Sequence, residues 1–81
     1  MKISVEISYY PLNDKYIQPI KRFIEKFKND PNIVIKPNTM STQIFGEYDD
    51  VMDKLKTELK EAFTLPHSVF VLKIINADLE H

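Results

Sequence analysis

The sequence has 81 residues, of which 43% are hydrophobic and 28% charged, as is typical of one small globular domain. It contains no cysteine, which excludes a disulfide framework, a thiolate metal site and a thiol nucleophile and fits a cytoplasmic location. Its 12 acidic residues nearly balance 11 basic ones, which argues against nucleic acid or an anionic membrane as partner. We expect a single domain over residues 1–78, with residues 79–81 as the remnant of a purification tag.

The first part of the chain predicts a strand followed by a helix. Residues 2–10 alternate polar and apolar side chains, which is typical of a half-buried strand. Asn13 and Asp14 are helix-capping residue types, and Pro19 must lie in the first turns, so the helix is expected to start between residues 14 and 18. The apolar residues of this helix recur every three or four positions and form one stripe: Ile17, Ile20, Phe23, Ile24 and Phe27.

Two further strands are predicted next. Residues 33–35 are a short β-branched run, and Pro37 turns the chain after them. Residues 40–47 favour a third strand, in which Met40 and Ile44 are expected to point towards the helices. The side chains that then point the opposite way are Ser41, Gln43 and Phe45.

The last part of the chain predicts a second helix and a fourth strand. Asp49 and Asp50 are placed where the positive end of a helix favours carboxylates. An apolar stripe follows, made of Val51, Met52, Leu55, Leu59, Ala62 and Phe63. Residues 68–76 are an apolar run of strand length, and Gly46 is expected to serve close packing or a bulge before the helix.

This order of elements predicts a ferredoxin-like α+β sandwich with βαββαβ topology and a four-stranded antiparallel sheet. Both helices would cover one face of the sheet, and the first and third strands would be central. The outward residues of these strands would then lie in the middle of the open face: Ser4, Glu6, Ser8 and Tyr10 with Ser41, Gln43 and Phe45. Hydroxyls, a carboxylate, an amide and two aromatic rings are compatible with recognition of a small ligand.

Short segments occur in a characteristic order along the chain. They are Ser8-Tyr9-Tyr10-Pro11-Leu12, Asp14, Tyr16-Ile17, Met40-Ser41-Thr42, Gly46 and the helix start near Asp50-Val51. Together, over roughly residues 2–78, they resemble the YkoF-like family of thiamin/hydroxymethylpyrimidine-binding proteins. The resemblance implies binding of thiamin or its pyrimidine moiety and assembly of this single-domain chain into a homodimer or homotetramer. The residues themselves indicate no catalytic site, so we do not expect an enzyme.

The resemblance also implies where the ligand is bound. Ser8, Tyr10, Pro11 and Thr42 match the family best, and residues 38–41 lead into the last of these. An aminopyrimidine needs a carboxylate or carbonyl to accept from its amine and a hydroxyl or amide to donate to its ring. The residues that we predict to contact the ligand are Thr42, Ser8, Tyr10, Ser41, Asn38, Thr39, Gln43 and Glu6. We expect no metal and no cofactor besides this ligand.

Other interpretations of the same residues remain open. Strand hydroxyls are also ordinary β-formers, and Tyr10 and Phe45 can either stack on a ligand or fill a subunit interface. The alternative function is therefore a non-catalytic oligomerisation or regulatory module without a small ligand. An acylphosphatase would need a glycine-rich anion loop with an arginine after the first strand, and an RNA-recognition domain would need basic and aromatic residues on the third strand. The sequence has no such loop, and its third strand has one aromatic residue, Phe45, and no basic residue. Thr42 is our first choice for a ligand contact, although regular alternation with Ser41 would place it on the helix side.

Overall fold

A computed structural model describes residues 1–12, 17–65 and 67–80 of the chain. The elements are β1 (Lys2–Pro11), α1 (Ile17–Lys28), β2 (Ile33–Pro37), β3 (Thr42–Glu47), α2 (Tyr48–Ala62) and β4 (Ser68–Ile75). The strands form one antiparallel sheet in the order β2-β3-β1-β4, so that β1 and β3 are central. The predicted ferredoxin-like fold and its element order are confirmed.

The hydrophobic core lies between the sheet and the two helices. The alternation of β1 turns Ile3, Val5 and Ile7 towards the helices, where each is at most 3% exposed. The residues that complete the buried cluster are Phe23 and Phe27 of α1, Ile33 of β2, Ile44 of β3, and Val51 and Leu55 of α2. Since burial of apolar surface contributes about 25 cal/mol per Å², this layer supplies most of the free energy that holds the helices on the sheet.

The first helix begins at Ile17, inside the predicted interval. The proposed capping residues Asn13 and Asp14 lie outside the described residues. Ile17 itself is 53% exposed, so the apolar stripe reaches the core only further along the helix. Within the described residues, no helix is long and apolar enough to cross a membrane.

The second helix begins at Tyr48, directly after β3, and carries Asp49 and Asp50 in its first turn as predicted. These carboxylates lie at the positive end of the helix dipole, where negative charge is stabilising. The predicted stripe extends one residue too far, because the helix ends at Ala62 and Phe63 is exposed beyond it.

The prediction that the third strand begins at Met40 is wrong. The strand begins at Thr42, and the preceding residues form a turn in which the Asn38 N–H donates to the Ser41 carbonyl oxygen at 2.9 Å. Met40 lies in this turn and is 89% exposed, so it does not point towards the helices. Ile44 does, and it is completely buried.

Gly46 is a packing glycine rather than a bulge. It lies directly opposite Ile3 on one side and Ile33 on the other, and the register of both ladders is unbroken there. A β-carbon at this position would lie 3.1 Å from the Asn32 carbonyl oxygen and 3.1 Å from Cγ2 of Val51. The absence of a side chain therefore allows β3 to approach both its neighbour and α2 closely.

The open face of the sheet differs between its two ends. At one end Ser4 and Phe45 are neighbours across the β1–β3 ladder, and each is only 6% exposed. The Ser4 hydroxyl donates to the Ala77 carbonyl oxygen at 2.7 Å and accepts from the Leu79 N–H at 2.9 Å. The residues after β4 therefore lie against this end of the face. At the other end Tyr10 is 52% exposed.

Candidate functional site

The first strand has two different neighbourhoods along its length. Its pairing with β3 runs from Lys2 opposite Glu47 to Ile7 opposite Thr42 and then stops. Its pairing with β4 continues to Pro11 opposite Ser68. Residues 8–10 are consequently paired with β4 only. In an antiparallel sheet, the backbone N–H and C=O groups of these residues that are not bonded to β4 point away from it. Those groups face a gap between β1 and the turn at residues 38–41.

A cavity of about 210 Å³ lies in this gap, and we call it the end cavity. It contains six of the eight residues that the sequence predicts as ligand contacts: Ser8, Tyr10, Asn38, Thr39, Ser41 and Thr42. The remaining lining residues are Ile7, Tyr9, Ile20, Phe23, Ile24 and Met40. The fold thus brings together residues that are about thirty positions apart in the sequence.

The aromatic wall of the end cavity is built from side chains that the sequence did not single out. Tyr9 stacks on Phe70 with ring centroids 4.2 Å apart, and it meets Phe23 edge to face at 5.7 Å. Such ring pairs add to the free energy of area burial and hold the rings in fixed orientations. The alternation of β1 contained a signal for Tyr9, because Tyr9 shares the helix-facing side of the strand with the buried Ile7.

Thr42 and Ser41 border the gap on opposite faces of the sheet. Thr42 lies opposite Ile7 and Pro37 in the two ladders, so it faces the helix layer, as regular alternation requires. It is half-buried and lines the end cavity beneath α1. Ser41 faces the open side, where its hydroxyl donates to Oε2 of Glu6 at 3.2 Å. The gap therefore connects the helix side of the sheet with its open face.

The other two predicted contacts, Glu6 and Gln43, lie elsewhere. They are opposite each other in the β1–β3 ladder and line a second cavity of about 320 Å³ on the open face, which we call the face cavity. Oε1 of Glu6 is 3.7 Å from Nζ of Lys73 on β4. The remaining lining residues are Ser4, Val5, Phe45, Ile74, Ile75 and Leu79.

Phe45 was predicted either to fill a subunit interface or to stack on a ligand, and in the structure its ring instead makes contacts within the protein. The ring lies on the open-face side of β3 but is nearly buried, and the ammonium of Lys36 lies 5.6 Å from its centroid. This is the geometry of a cation–π contact within the protein itself. Tyr10, by contrast, is half exposed at the rim of the end cavity, where its ring is free to stack on the ring of a ligand.

The two cavities differ in chemistry. Among the described residues that line the end cavity, none is charged, and the polar groups are hydroxyls and one side-chain amide. Such a set can both donate to and accept from a neutral heterocycle, while the aromatic wall contacts its ring face. The face cavity instead has a carboxylate and an ammonium at its rim.

The comparisons with known proteins agree with this architecture. The model of the YKOF-related family matches residues 2–75. A protein of Streptococcus pneumoniae is 23% identical, and the match covers 98% of this chain and 90% of that one with a TM-score of 0.86. No curated protein matches the sequence significantly.

Two further solved structures share the fold. One is a proposed thiamine biosynthesis/salvage protein of Thermotoga maritima, with 22% identity, a TM-score of 0.81, and coverage of 95% of this chain and 85% of that one. The other is a domain of unknown function of Bacillus cereus, with 16% identity, a TM-score of 0.78, and coverage of 98% and 79%. At these identities the structures show a common fold and no more.

Proposed function

This chain belongs to the YKOF-related family, and on that premise we propose that it is a non-catalytic protein that binds thiamin or its hydroxymethylpyrimidine moiety. The observation that carries the proposal is the end cavity, which gathers six independently predicted contact residues around one gap in the sheet. One protein of the same fold is proposed to act in thiamine biosynthesis or salvage, which is in keeping with this ligand class. A carrier, a buffer or a sensor of the ligand would each need this binding step.

The pyrimidine ring fits the chemistry of the end cavity. In our proposal the hydroxyls of Ser8 and Thr42 donate to ring nitrogens, and the side-chain oxygen of Asn38 accepts from the exocyclic amine. The backbone of residues 8–10, which faces the gap, offers further donors and acceptors without any side-chain rearrangement. Tyr10 then covers the ring from the rim.

A titration panel tests the proposal. Isothermal titration calorimetry with thiamin, the free pyrimidine alcohol and thiamin pyrophosphate should give saturable binding of the first two at one molecule per chain. The pyrophosphate should bind more weakly than thiamin, because the described lining of the end cavity contains no lysine or arginine. At the face cavity the exposed Lys73 is the one basic side chain of the described lining, and two phosphates would there meet the like charge of Glu6. Absence of binding by both thiamin and the pyrimidine alcohol would overturn the proposed function. Tighter binding of the pyrophosphate would overturn its location.

A second proposal concerns assembly. We propose that the chain forms a homo-oligomer through the uncovered end of the open face, where Tyr10, Val69 and Val71 are 52%, 43% and 54% exposed. Adjacent exposed apolar side chains of this kind favour association with a symmetry mate. Static light scattering at micromolar concentration should give a mass of at least two chains. A monomer mass with and without thiamin would overturn this proposal and leave the binding proposal intact.

A further inference from the structure

Glu6 lies at the boundary between the two cavities. Its carboxylate lines the face cavity, while the Ser41 hydroxyl that donates to it at 3.2 Å lines the end cavity. Ser8, which lines the end cavity, is two residues further along the same strand, a separation of roughly 6–7 Å on the same face of the sheet. A ligand that fills the end cavity and extends towards the open face would therefore meet Glu6 next.

The charges around Glu6 make it a distinctive group. Among the described residues that line either cavity, it is the one carboxylate. One of its oxygens accepts from Ser41, and the other is 3.7 Å from Nζ of Lys73, whose side chain is 82% exposed. An ion pair with so exposed a partner contributes little, because water and salt screen it. A ligand cation can displace that ammonium at small cost.

We propose that Glu6 selects ligands that carry a positive charge next to the ring held in the end cavity. This inference rests on the proposed function, in which the neutral aminopyrimidine ring occupies the end cavity. The second ring of thiamin, a thiazolium cation joined to the pyrimidine through one carbon, then lies at the mouth of the face cavity. Its charge faces the Glu6 carboxylate, and the bond from Ser41 holds that carboxylate in place.

The proposal predicts that the same substitution affects the binding of a cationic ligand and of its neutral fragment differently. We expect Glu6→Gln to weaken thiamin binding about 5- to 30-fold, or roughly 1–2 kcal/mol, because the ligand cation loses its contact with a full negative charge. Binding of the pyrimidine alcohol should change less than about twofold. The glutamine keeps the shape and can still accept from Ser41. Lys73→Met should strengthen thiamin binding by about two- to fivefold, because it removes the competing cation.

The experiment is calorimetric titration of thiamin and of the free pyrimidine alcohol at mildly alkaline pH, where the aminopyrimidine is neutral. The variants are Glu6→Gln, Lys73→Met and the control Glu25→Gln. Glu25 is an exposed carboxylate of α1 that lines neither cavity, and its 3.9 Å ion pair with Lys28 lies on the helix surface. Its loss therefore changes the net charge without changing the lining of either cavity. Melting temperatures show whether each variant remains folded. In the unmodified protein, added NaCl should weaken thiamin binding more steeply than binding of the pyrimidine alcohol.

The possible outcomes are distinguishable. Selective loss of thiamin affinity in Glu6→Gln, with Glu25→Gln unchanged, supports the proposal. Equal loss for both ligands, or no loss for either, overturns it while the proposed function stands. An equal salt dependence for the two ligands also overturns it, even if a variant fails to fold. If the unmodified protein binds neither ligand, the proposed function fails and this inference fails with it.

Discussion

The two halves of the first strand have the same alternating pattern but different surroundings. Residues 4–7, the doubly paired half, have a neighbouring strand on both sides, and their inward side chains lie at the centre of the core. Residues 8–10, the singly paired half, have a neighbouring strand on one side only and border the end cavity. In our proposal, the part of the strand that extends beyond its partner β3 contributes to a binding site, whereas the doubly paired part contributes to the core. We expect substitutions in the doubly paired half to lower stability and substitutions in the singly paired half to lower ligand affinity.

The largest expected effect is a loss of stability at the doubly paired half. Ile44 is completely buried and lies opposite Val5 and Ile35 in the two ladders. Ile44→Ala should lower the free energy of unfolding by about 2–5 kcal/mol, since it removes buried carbon and leaves a cavity. Urea denaturation measures this loss. The control Val34→Ala, at a 39% exposed site on the edge strand β2, should change it by less than about 0.5 kcal/mol. Equal losses in the two variants would contradict the assignment of the core.

The next effect is a loss of affinity at the singly paired half. Thr42→Val keeps the shape of the side chain and removes its hydroxyl from the end cavity, so an unpaired ligand nitrogen should cost about 1–3 kcal/mol, or roughly 5- to 150-fold in thiamin affinity. The melting temperature should change little, because the methyl groups preserve the packing under α1.

Ser41→Ala is the matched comparison for Thr42→Val, since the two residues reach the gap from opposite sides. Thiamin titration of both variants decides which side contacts the ligand. Normal binding by Thr42→Val together with impaired binding by Ser41→Ala would place the ligand on the open face. Normal binding by both would show that the turn and the start of β3 do not contact it.

The sequence predicted the elements and the sheet order because each rests on a local signal. Alternation identified β1, the three- and four-residue spacing identified both helices, and the order of elements then determined which strands are central. It failed at Met40, because a polar turn and a strand start have similar composition there. Where β3 stops pairing with β1 depends on this strand boundary, so the gap itself was not predictable.

Six of the eight predicted contact residues line one cavity, but their arrangement around it was not predictable. Alternation already implied that Thr42 faces the helices, and the structure places it there. Nothing local, however, indicated that side chains on both sides of the sheet would line one cavity, since this requires a gap between strands. Glu6 and Gln43 are separate from the other six residues because they do not border this gap. They lie in the doubly paired region, where the sheet is closed.

The smallest effects come from a pair of serines on the same side of β1. Ser4, in the doubly paired half, is 6% exposed, and its hydroxyl makes two hydrogen bonds to the backbone of residues 77 and 79. Ser4→Ala should therefore lower the free energy of unfolding by about 0.5–1.5 kcal/mol. Although Ser4 lines the face cavity, its hydroxyl is engaged by the protein's own backbone, so thiamin affinity should change less than about twofold. Ser8, in the singly paired half, lines the end cavity and is half-buried. Ser8→Ala should lower thiamin affinity by about 2- to 10-fold and change stability by less than about 0.5 kcal/mol.

The two variants remove the same hydroxyl group from the same face of one strand, so each is the control for the other. Urea denaturation and thiamin titration measure the stability and the thiamin affinity of both variants. We expect the loss of stability in Ser4→Ala and the loss of affinity in Ser8→Ala. If Ser8→Ala instead destabilises the fold without weakening binding, the end of β1 is structural like its beginning. The ligand would then have to lie in the face cavity, where Ser4→Ala would weaken its binding.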